Sequence, residues 1–365
     1  MEQFISSRCE ELVGLYRQCY ASVEKTEPES LWERPSLAQE DIDALEVILL
    51  EAGLPVLDSD ETTPDYLPAA GDFHDFLEAL ERGESASQEV LSIRQSGDLG
   101  YQRFCVQNGQ LVLYSMLYPV EGETEPVYEV HPVLDWELTD RGNFYYSIYP
   151  NWDKHYIAYS LLRLTPPDRT LWELTRRCIE AGGYVASNLF LTDWTEENFE
   201  KLCFNDLFEY LYRYEHGQQF SPEGCAYSEE GHYYEIPAEE FEQTILPYFD
   251  IDPAALRDLA LYDGERDSYP WRQLQSEEVV SLLRYYTMEP EVTAYKENPD
   301  GTLCLTVQVL STDLKSDCLF SHQVTIRPLE GGSFQFTGNR ILTQGEKGLP
   351  YCQSRLSWPS GSGVK

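Results

Sequence analysis

Three carboxylates alternate along one short stretch of this chain. Asp263, Glu265 and Asp267 lie in the run YDGERDSYPW, with Gly264 between the first two. Oxygen ligands so spaced on a turn suit calcium, a hard cation that takes about six to eight oxygens. A calcium-binding EF-hand needs a longer ladder closed by a bidentate glutamate, and none follows here. A solvated turn is therefore the favoured reading. Asp263 and Asp267 stand as weak metal candidates in a chain otherwise expected to hold no metal and no cofactor. Asp58, Asp60 and Glu61 form a similar cluster and take the same reading.

Aromatic residues are the second chemical lead. Tyr145, Tyr146, Tyr149 and Trp152 crowd one stretch, and Tyr269 and Trp271 form a smaller group. Exposed Tyr and Trp rings stack on sugars or fill partner pockets. Strand residues alternate between two faces, so about half of these rings should point inward, and core packing is favoured for the group. Tyr149, Trp152, Tyr269 and Trp271 are the weak binding candidates.

Other chemistry finds little support. The histidines at 74, 131, 155, 216, 232 and 322 form no H-E-x-x-H and no close pair. His322, in register with Phe320 and Val324, reads as a hydrogen-bonded core histidine. The two S-x-x-K matches, Ser22 with Lys25 and Ser362 with Lys365, lack the companion motifs of penicillin-binding enzymes. No G-x-S-x-G elbow, G-x-G-x-x-G loop or Walker pattern occurs, so no catalytic residue is assigned. Carboxylate pairs such as Glu239 and Glu240 are too common here to single out a glycosidase, and these two read as the solvated start of a helix.

The elements that must position these residues follow from periodicity. Helices are expected over residues 1–25 and from Leu37 to Ala52, the latter capped by Ser36. A third runs to Arg82 behind Asp72. Residues 88–164 read as an antiparallel meander, with turns at Asn108-Gly109 and Asp140-Arg141-Gly142. Helices follow at 170–181, 196–203 and 206–215. Beyond Gly231 come a strand at Tyr233–Ile236, a helix opened by Pro237, and another opened by Asp252-Pro253. A carboxy-terminal antiparallel sheet of about three or four strands follows, in which Leu303, Leu305, Val307 and Val309 alternate with polar neighbours. The fold class is thus α+β. Two regions are expected, 1–230 (helices 1–82, meander 88–164, helices 168–216) and 231–365, with the boundary in the Gly-, Pro- and Ser-bearing stretch 218–230.

Composition narrows the function. The chain has 365 residues, 64 acidic against 26 basic, and a formal net charge of −38, with 42% hydrophobic residues to build a core. Such a surface repels phosphate backbones, so no nucleic-acid partner is expected. No apolar run spans a bilayer, and Met1-Glu2-Gln3-Phe4 lacks the basic start of a signal peptide. The nine cysteines include no C-x-x-C pair. They read mostly as scattered thiols, with one or two disulfides open if the protein is exported.

Five stretches carry a resemblance: SQEVLSIRQSGDLGYQRF from Ser87, DWELTDRGNFYYSIYP from Asp135, NLFLTDWTEENFEKLCFNDLFEYLY from Asn188, IPAEEFEQTILPYFDI from Ile236 and PEVTAYKENPDGTLCLTV from Pro290. Together they resemble an uncharacterised domain-of-unknown-function family of lipoproteins from anaerobic Gram-positive bacteria. The resemblance spans residues 36–356. It implies an extracytoplasmic location with a lipid tether on a leader, and brings no catalytic residues. Without the tether, the chain would be cytoplasmic. The expected function is a non-enzymatic cell-envelope protein that binds a protein or glycan. A carboxylate-dependent glycan hydrolase and a cytosolic acidic interaction protein are the alternatives.

Overall fold

The computed structural model describes residues 1–26, 36–58, 64–68, 70–121, 124–148, 159–275, 287–345, 348–350, 352 and 354–356. The described chain is α+β, with antiparallel sheets throughout. It divides into two compact units, Met1–Arg169 and Thr170–Lys365.

The first unit opens with helices α1 (Glu2–Tyr20), α2 (Gln39–Glu51) and α3 (Gly71–Glu81). Strands β1 (Ser87–Ile93), β2 (Leu99–Gln107), β3 (Gln110–Tyr118) and β4 (Val127–Pro132) form one sheet in that order. Strands β5 (Asp135–Leu138), β6 (Asn143–Ser147) and β7 (Ser160–Arg163) form a second sheet. Asn108 and Gly109 both take positive φ, as a tight hairpin turn requires, and bring Gln107 opposite Gln110. Period-two alternation gives the first sheet two buried faces. Leu91, Leu99, Tyr101 and Met116 pack with Ile5, Leu12 and Tyr16 of α1 and Leu45 of α2. On the other face Val90, Phe104, Leu111 and Leu113 pack with Phe73 and Phe76 of α3 and Phe144 of β6. The expected single meander is thus two sheets: the chain leaves β4 at Pro132 and starts a new layer at Asp135.

Two caps differ from expectation. Ala38, not Ser36, precedes α2, because Ser36 pairs its backbone with Thr26. Asp72 sits inside the first turn of α3, behind Ala70.

The second unit begins within α4 (Arg169–Leu174), which continues as a π-helical turn to Ile179. Strand β8 (Trp194–Thr195) and helix α5 (Phe204–His216) follow. Between them the helix expected at 196–203 is a single 3₁₀ turn, Phe199–Lys201. Strands β9 (Ala226–Ser228) and β10 (Tyr233–Pro237), helices α6 (Ala238–Ile245) and α7 (Pro253–Leu259), and strand β11 (Ser268–Trp271) come next. Strands β12 (Glu289–Glu297), β13 (Leu303–Ser311), β14 (Ser316–Pro328) and β15 (Phe334–Thr343) complete a five-stranded sheet ordered β12-β13-β14-β15-β8. It exceeds the expected size because β8, far upstream, pairs with the β15 edge.

The chain divides at Arg169–Thr170, earlier than the boundary expected near residue 231. The reason lies in α5, whose Phe204, Leu207, Phe208 and Leu211 share one core with Phe241 of α6, Trp271 of β11 and the inner face of the large sheet. A helix face this apolar belongs with the surface that buries it.

The alternation on β13 is direct: Leu305 and Val307 are fully buried and Thr306 is half-buried. Leu305→Ala and Val307→Ala should therefore each cost about 1–4 kcal/mol, and Thr306→Ala far less. Urea denaturation of the three variants checks this. Equal small losses would contradict the assignment of faces.

Candidate functional site in the carboxy-terminal unit

Polar chemistry gathers at three places in the second unit. Two are sealed and one is open.

The first sealed place surrounds His322 on β14, which is buried. Its Nδ1 lies 2.7 Å from Asn339 Oδ1 and its Nε2 lies 2.7 Å from the Tyr184 hydroxyl. Asn339 donates its own Nδ2–H to the Thr192 carbonyl at 2.8 Å. Its Oδ1 must then accept, so His322 carries its proton on Nδ1 and Tyr184 donates to Nε2. Burial pushes the imidazole down to about 4, against the pull of Asn339. Every polar atom is satisfied, so the group is a neutral core histidine, as its register suggested. Tyr184→Phe leaves Nε2 buried without a donor and should cost about 1–3 kcal/mol by chemical denaturation. A loss below about 0.5 kcal/mol would contradict the network.

The second sealed place is an ion cluster. Arg355, 1% exposed in its side chain, sits against Asp206 and Glu209 of α5. Its Nη1–H donates to Glu209 Oε2 at 2.6 Å and its Nη2–H to the Asp206 carbonyl at 2.6 Å. Its backbone N–H faces both Asp206 carboxylate oxygens, at 3.3 and 3.2 Å. Burial pushes Asp206 up to about 6, with the Arg355 charge pulling the other way. A perturbed carboxylate often marks catalysis. This one is 3% exposed and closed over by Arg355, so it fastens the segment around residue 355.

The open place is a cleft along α6 of about 640 Å³, lined by Ala238, Glu239, Glu242, Gln243, Leu246, Pro247, Arg257 and Asp267. Its geometry starts at β10 and β11, which pair Ile236 with Tyr269 and Pro237 with Ser268. The Ala238 N–H then donates to the Asp267 carbonyl at 3.0 Å, fixing the start of α6 beside the turn. Asp252 caps α7 by accepting from the Ala255 N–H at 2.8 Å. That sets Arg257 across from Glu242, and Arg257 Nε–H donates to Glu242 Oε1 at 2.6 Å. The Tyr269 hydroxyl donates to the same oxygen at 3.0 Å. Tyr262 donates to Asp267 Oδ1 at 2.6 Å, and the Arg257 guanidinium lies 5.0 Å from the centre of the Tyr262 ring. Glu242 is thus buried and engaged, whereas Glu239 and Asp267 stand at the exposed rim.

The structure scatters the residues singled out from sequence. Asp263 and Asp267 flank one turn but serve different partners. Asp263 accepts from the Glu265 and Arg266 amides at 2.9 and 3.3 Å and pairs with the Arg266 guanidinium at 3.0 Å. Slight desolvation is outweighed there by those amides and the guanidinium, which hold its carboxyl below the usual range. Asp267 turns to Tyr262 and the cleft. Tyr269 is buried with its ring stacked 4.0 Å from Phe241, and Trp271 is buried against Phe208 and Phe220. Neither presents a face to a ligand, although Tyr269 reaches the cleft through its hydroxyl. Tyr149 and Trp152 lie outside the described residues. Sequence reasoning missed Glu242 and Arg257, whose separation of fifteen residues across two helices leaves no local motif.

An α+β frame carrying an open, acidic cleft defines a class of protein without naming a reaction. The chain belongs to a family of unknown function (DUF6070), whose pattern matches residues 2–355. No curated protein and no solved structure matches it. Among the described residues, no helix is long and apolar enough to cross a membrane.

Proposed function

We propose that this chain is a non-enzymatic binding protein of the cell envelope, and that it holds a neutral or amino-bearing glycan in the α6 cleft. The observation that carries the reading is the Glu242–Arg257 pair. Its 2.6 Å contact, with Tyr269 on the same oxygen, ties up the most buried carboxylate of the cleft. A carboxylate held this way is a poor general acid or nucleophile, yet it stiffens the wall against which a ligand rests. Glu239, Gln243 and Asp267 offer acceptors and an amide donor beside the apolar Ala238, Leu246 and Pro247. A few placed polar groups among apolar ones are the usual recipe for a small-ligand site. Carboxylates accept from neighbouring hydroxyls, which suits a sugar. Three carboxylates against one guanidinium disfavour an anionic ligand.

The envelope location rests on the resemblance of the five stretches quoted above. Fractionation of cells expressing the full-length gene checks it: recovery in the membrane and wall fraction is expected, and recovery in the cytosol would contradict it.

The hydrolase alternative keeps a foothold because three carboxylates share the cleft. Calorimetric titration with soluble neutral and amino-bearing oligosaccharides, followed by product analysis, separates the two. Saturable binding with intact ligand is expected. Shortened products would favour the hydrolase.

A further inference from the structure

Strand β4 closes one side of the first sheet, and among the described residues no strand pairs with its outer side. The phase of the ladder decides which backbone groups face out. The Val133 N–H donates to the Leu111 carbonyl at 2.8 Å, and the β3–β4 register runs on from that pair to His131 with Leu113 and Glu129 with Ser115. Hydrogen-bonded pairs alternate along an antiparallel ladder. Val127, Glu129 and His131 therefore turn their N–H and C=O to β3, while Tyr128 and Val130 turn theirs outward. The β2–β3 hairpin gives the same phase independently. A two-residue turn closes on a hydrogen-bonded pair, Gln107 with Gln110, which leaves Leu111, Leu113 and Ser115 facing β4. Pro132, next in the outward series, has no N–H and ends the open run.

The side chains beside these groups are apolar or acidic. Val127 is 54% exposed and Val130 46%. Edge strands are commonly guarded by lysine, and β4 carries neither lysine nor arginine. Tyr128 packs with the α1 core, and alternation puts Val130 on the same face. Glu129 is on the opposite face, exposed, with its carboxylate 3.2 Å from His131 Nε2. Glu125, also exposed, lies just before the strand. A strand added outside β4 would set one residue directly opposite Glu129, in the non-hydrogen-bonded pairing that brings side chains closest. A cation suits that position, and apolar side chains suit those opposite Tyr128 and Val130. The net charge of −38 draws a cationic segment in and repels a second copy of this chain.

We propose that the outer edge of β4 docks an extended cationic peptide segment, which adds antiparallel as a fifth strand of the first sheet. The backbone of Tyr128 and Val130 holds the segment, and the Pro132 carbonyl accepts one further bond. Glu129 selects lysine or arginine at the facing position, and the exposed valines select apolar neighbours on either side of it. Main-chain bonds supply affinity in this mode of recognition and alternate side chains supply specificity. The proposal stands independently of what the α6 cleft binds.

Fluorescence anisotropy of a short, end-capped, labelled peptide alternating valine and lysine, titrated with the full chain, tests it. Saturable binding is expected. Two altered peptides should each bind at least about tenfold more weakly: one with glutamate in place of lysine, and one N-methylated on its valines, which keeps the charge but loses the amides that face β4. Val130→Pro should weaken the parent peptide as much, with a melting temperature close to wild type, because the lost N–H points away from β3. Val130→Lys, at the same exposed position, adds a like charge and should weaken it too. Absence of binding would overturn the proposal. Equal binding of the N-methylated peptide, or no effect of either variant, would show mere adsorption to an acidic surface and overturn the edge. Equal binding of the glutamate peptide would overturn the cationic partner. A dimer of the chain in sedimentation that Val130→Pro abolishes would give the edge to a second copy instead.

Discussion

Arg355→Ala should destabilise the protein by about 3–5 kcal/mol, because truncation leaves Asp206 buried and Glu209 half-buried without their cation. The wild-type guanidinium answers both, with Nη1 2.6 Å from Glu209 Oε2 and Nε 3.4 Å from Asp206 Oδ1. It also donates to the Arg272 carbonyl at 2.9 Å, while Arg272 returns a bond to the Arg355 carbonyl at 2.9 Å. These bonds clasp the segment around Arg355 to the residue that follows β11. Arg355→Lys keeps the charge but cannot span the same acceptors with one fork, so it should fall between wild type and Arg355→Ala. Urea unfolding followed by fluorescence measures the series. A loss below about 1 kcal/mol for Arg355→Ala would mean that the Arg355 cluster does not hold its segment to α5.

Stability should also carry two pH dependences of opposite sign within the second unit. The folded pKa of His322, about 4, lies below its unfolded value near 6.5. The stability it contributes is fully present above about 6.5 and is lost as pH falls through about 4. At about 1.36 kcal/mol per unit the loss is about 3 kcal/mol. Asp206 behaves oppositely. Its folded pKa, about 6, lies above its ordinary value of 3.8. Its stabilising share is present below about 3.8 and is lost as pH rises through about 6, again by about 3 kcal/mol. In wild type the two trends offset each other between about pH 4 and 6, where both windows overlap. Variants separate them. His322→Gln should remove the acid-side loss, so that its stability relative to wild type improves as pH falls. Asp206→Asn should improve relative to wild type as pH rises. Unfolding free energies at five or six pH values give both differences, and parallel curves for wild type and either variant would contradict that assignment.

What the sequence revealed and what it hid follow from range. Asn108-Gly109 and the alternation from Leu303 to Val309 are local signals, and the structure forms both as read. The β8 pairing, the Tyr184–His322 bond across 138 residues and the Asp206–Arg355 contact across 149 leave no local trace. The boundary near residue 231 followed from turn-forming residues at 218–230. That stretch holds turns around the short strand β9, and the residues on either side of it share one core. Tyr269 and Trp271 read as an aromatic group for which core packing is favoured, but no expected element covers them, and their burial follows from β11 pairing with β10. Asp267 was noticed for calcium chemistry, yet its place at the cleft rim comes from α6 docking on its own carbonyl.

The cleft is the centre of this account, and affinity is its most direct measure. Glu239→Ala and Asp267→Asn, combined in one chain, remove both exposed rim charges while leaving the Glu242–Arg257 hydrogen bond in place, since Asn keeps an acceptor for Tyr262 and tolerates the positive φ of residue 267. Titrated with an oligosaccharide that binds wild type, the double variant should bind at least about tenfold more weakly, a loss of about 1.4 kcal/mol, with its melting temperature nearly unchanged. Equal affinity in wild type and the double variant would contradict the claim that the α6 cleft is the binding site.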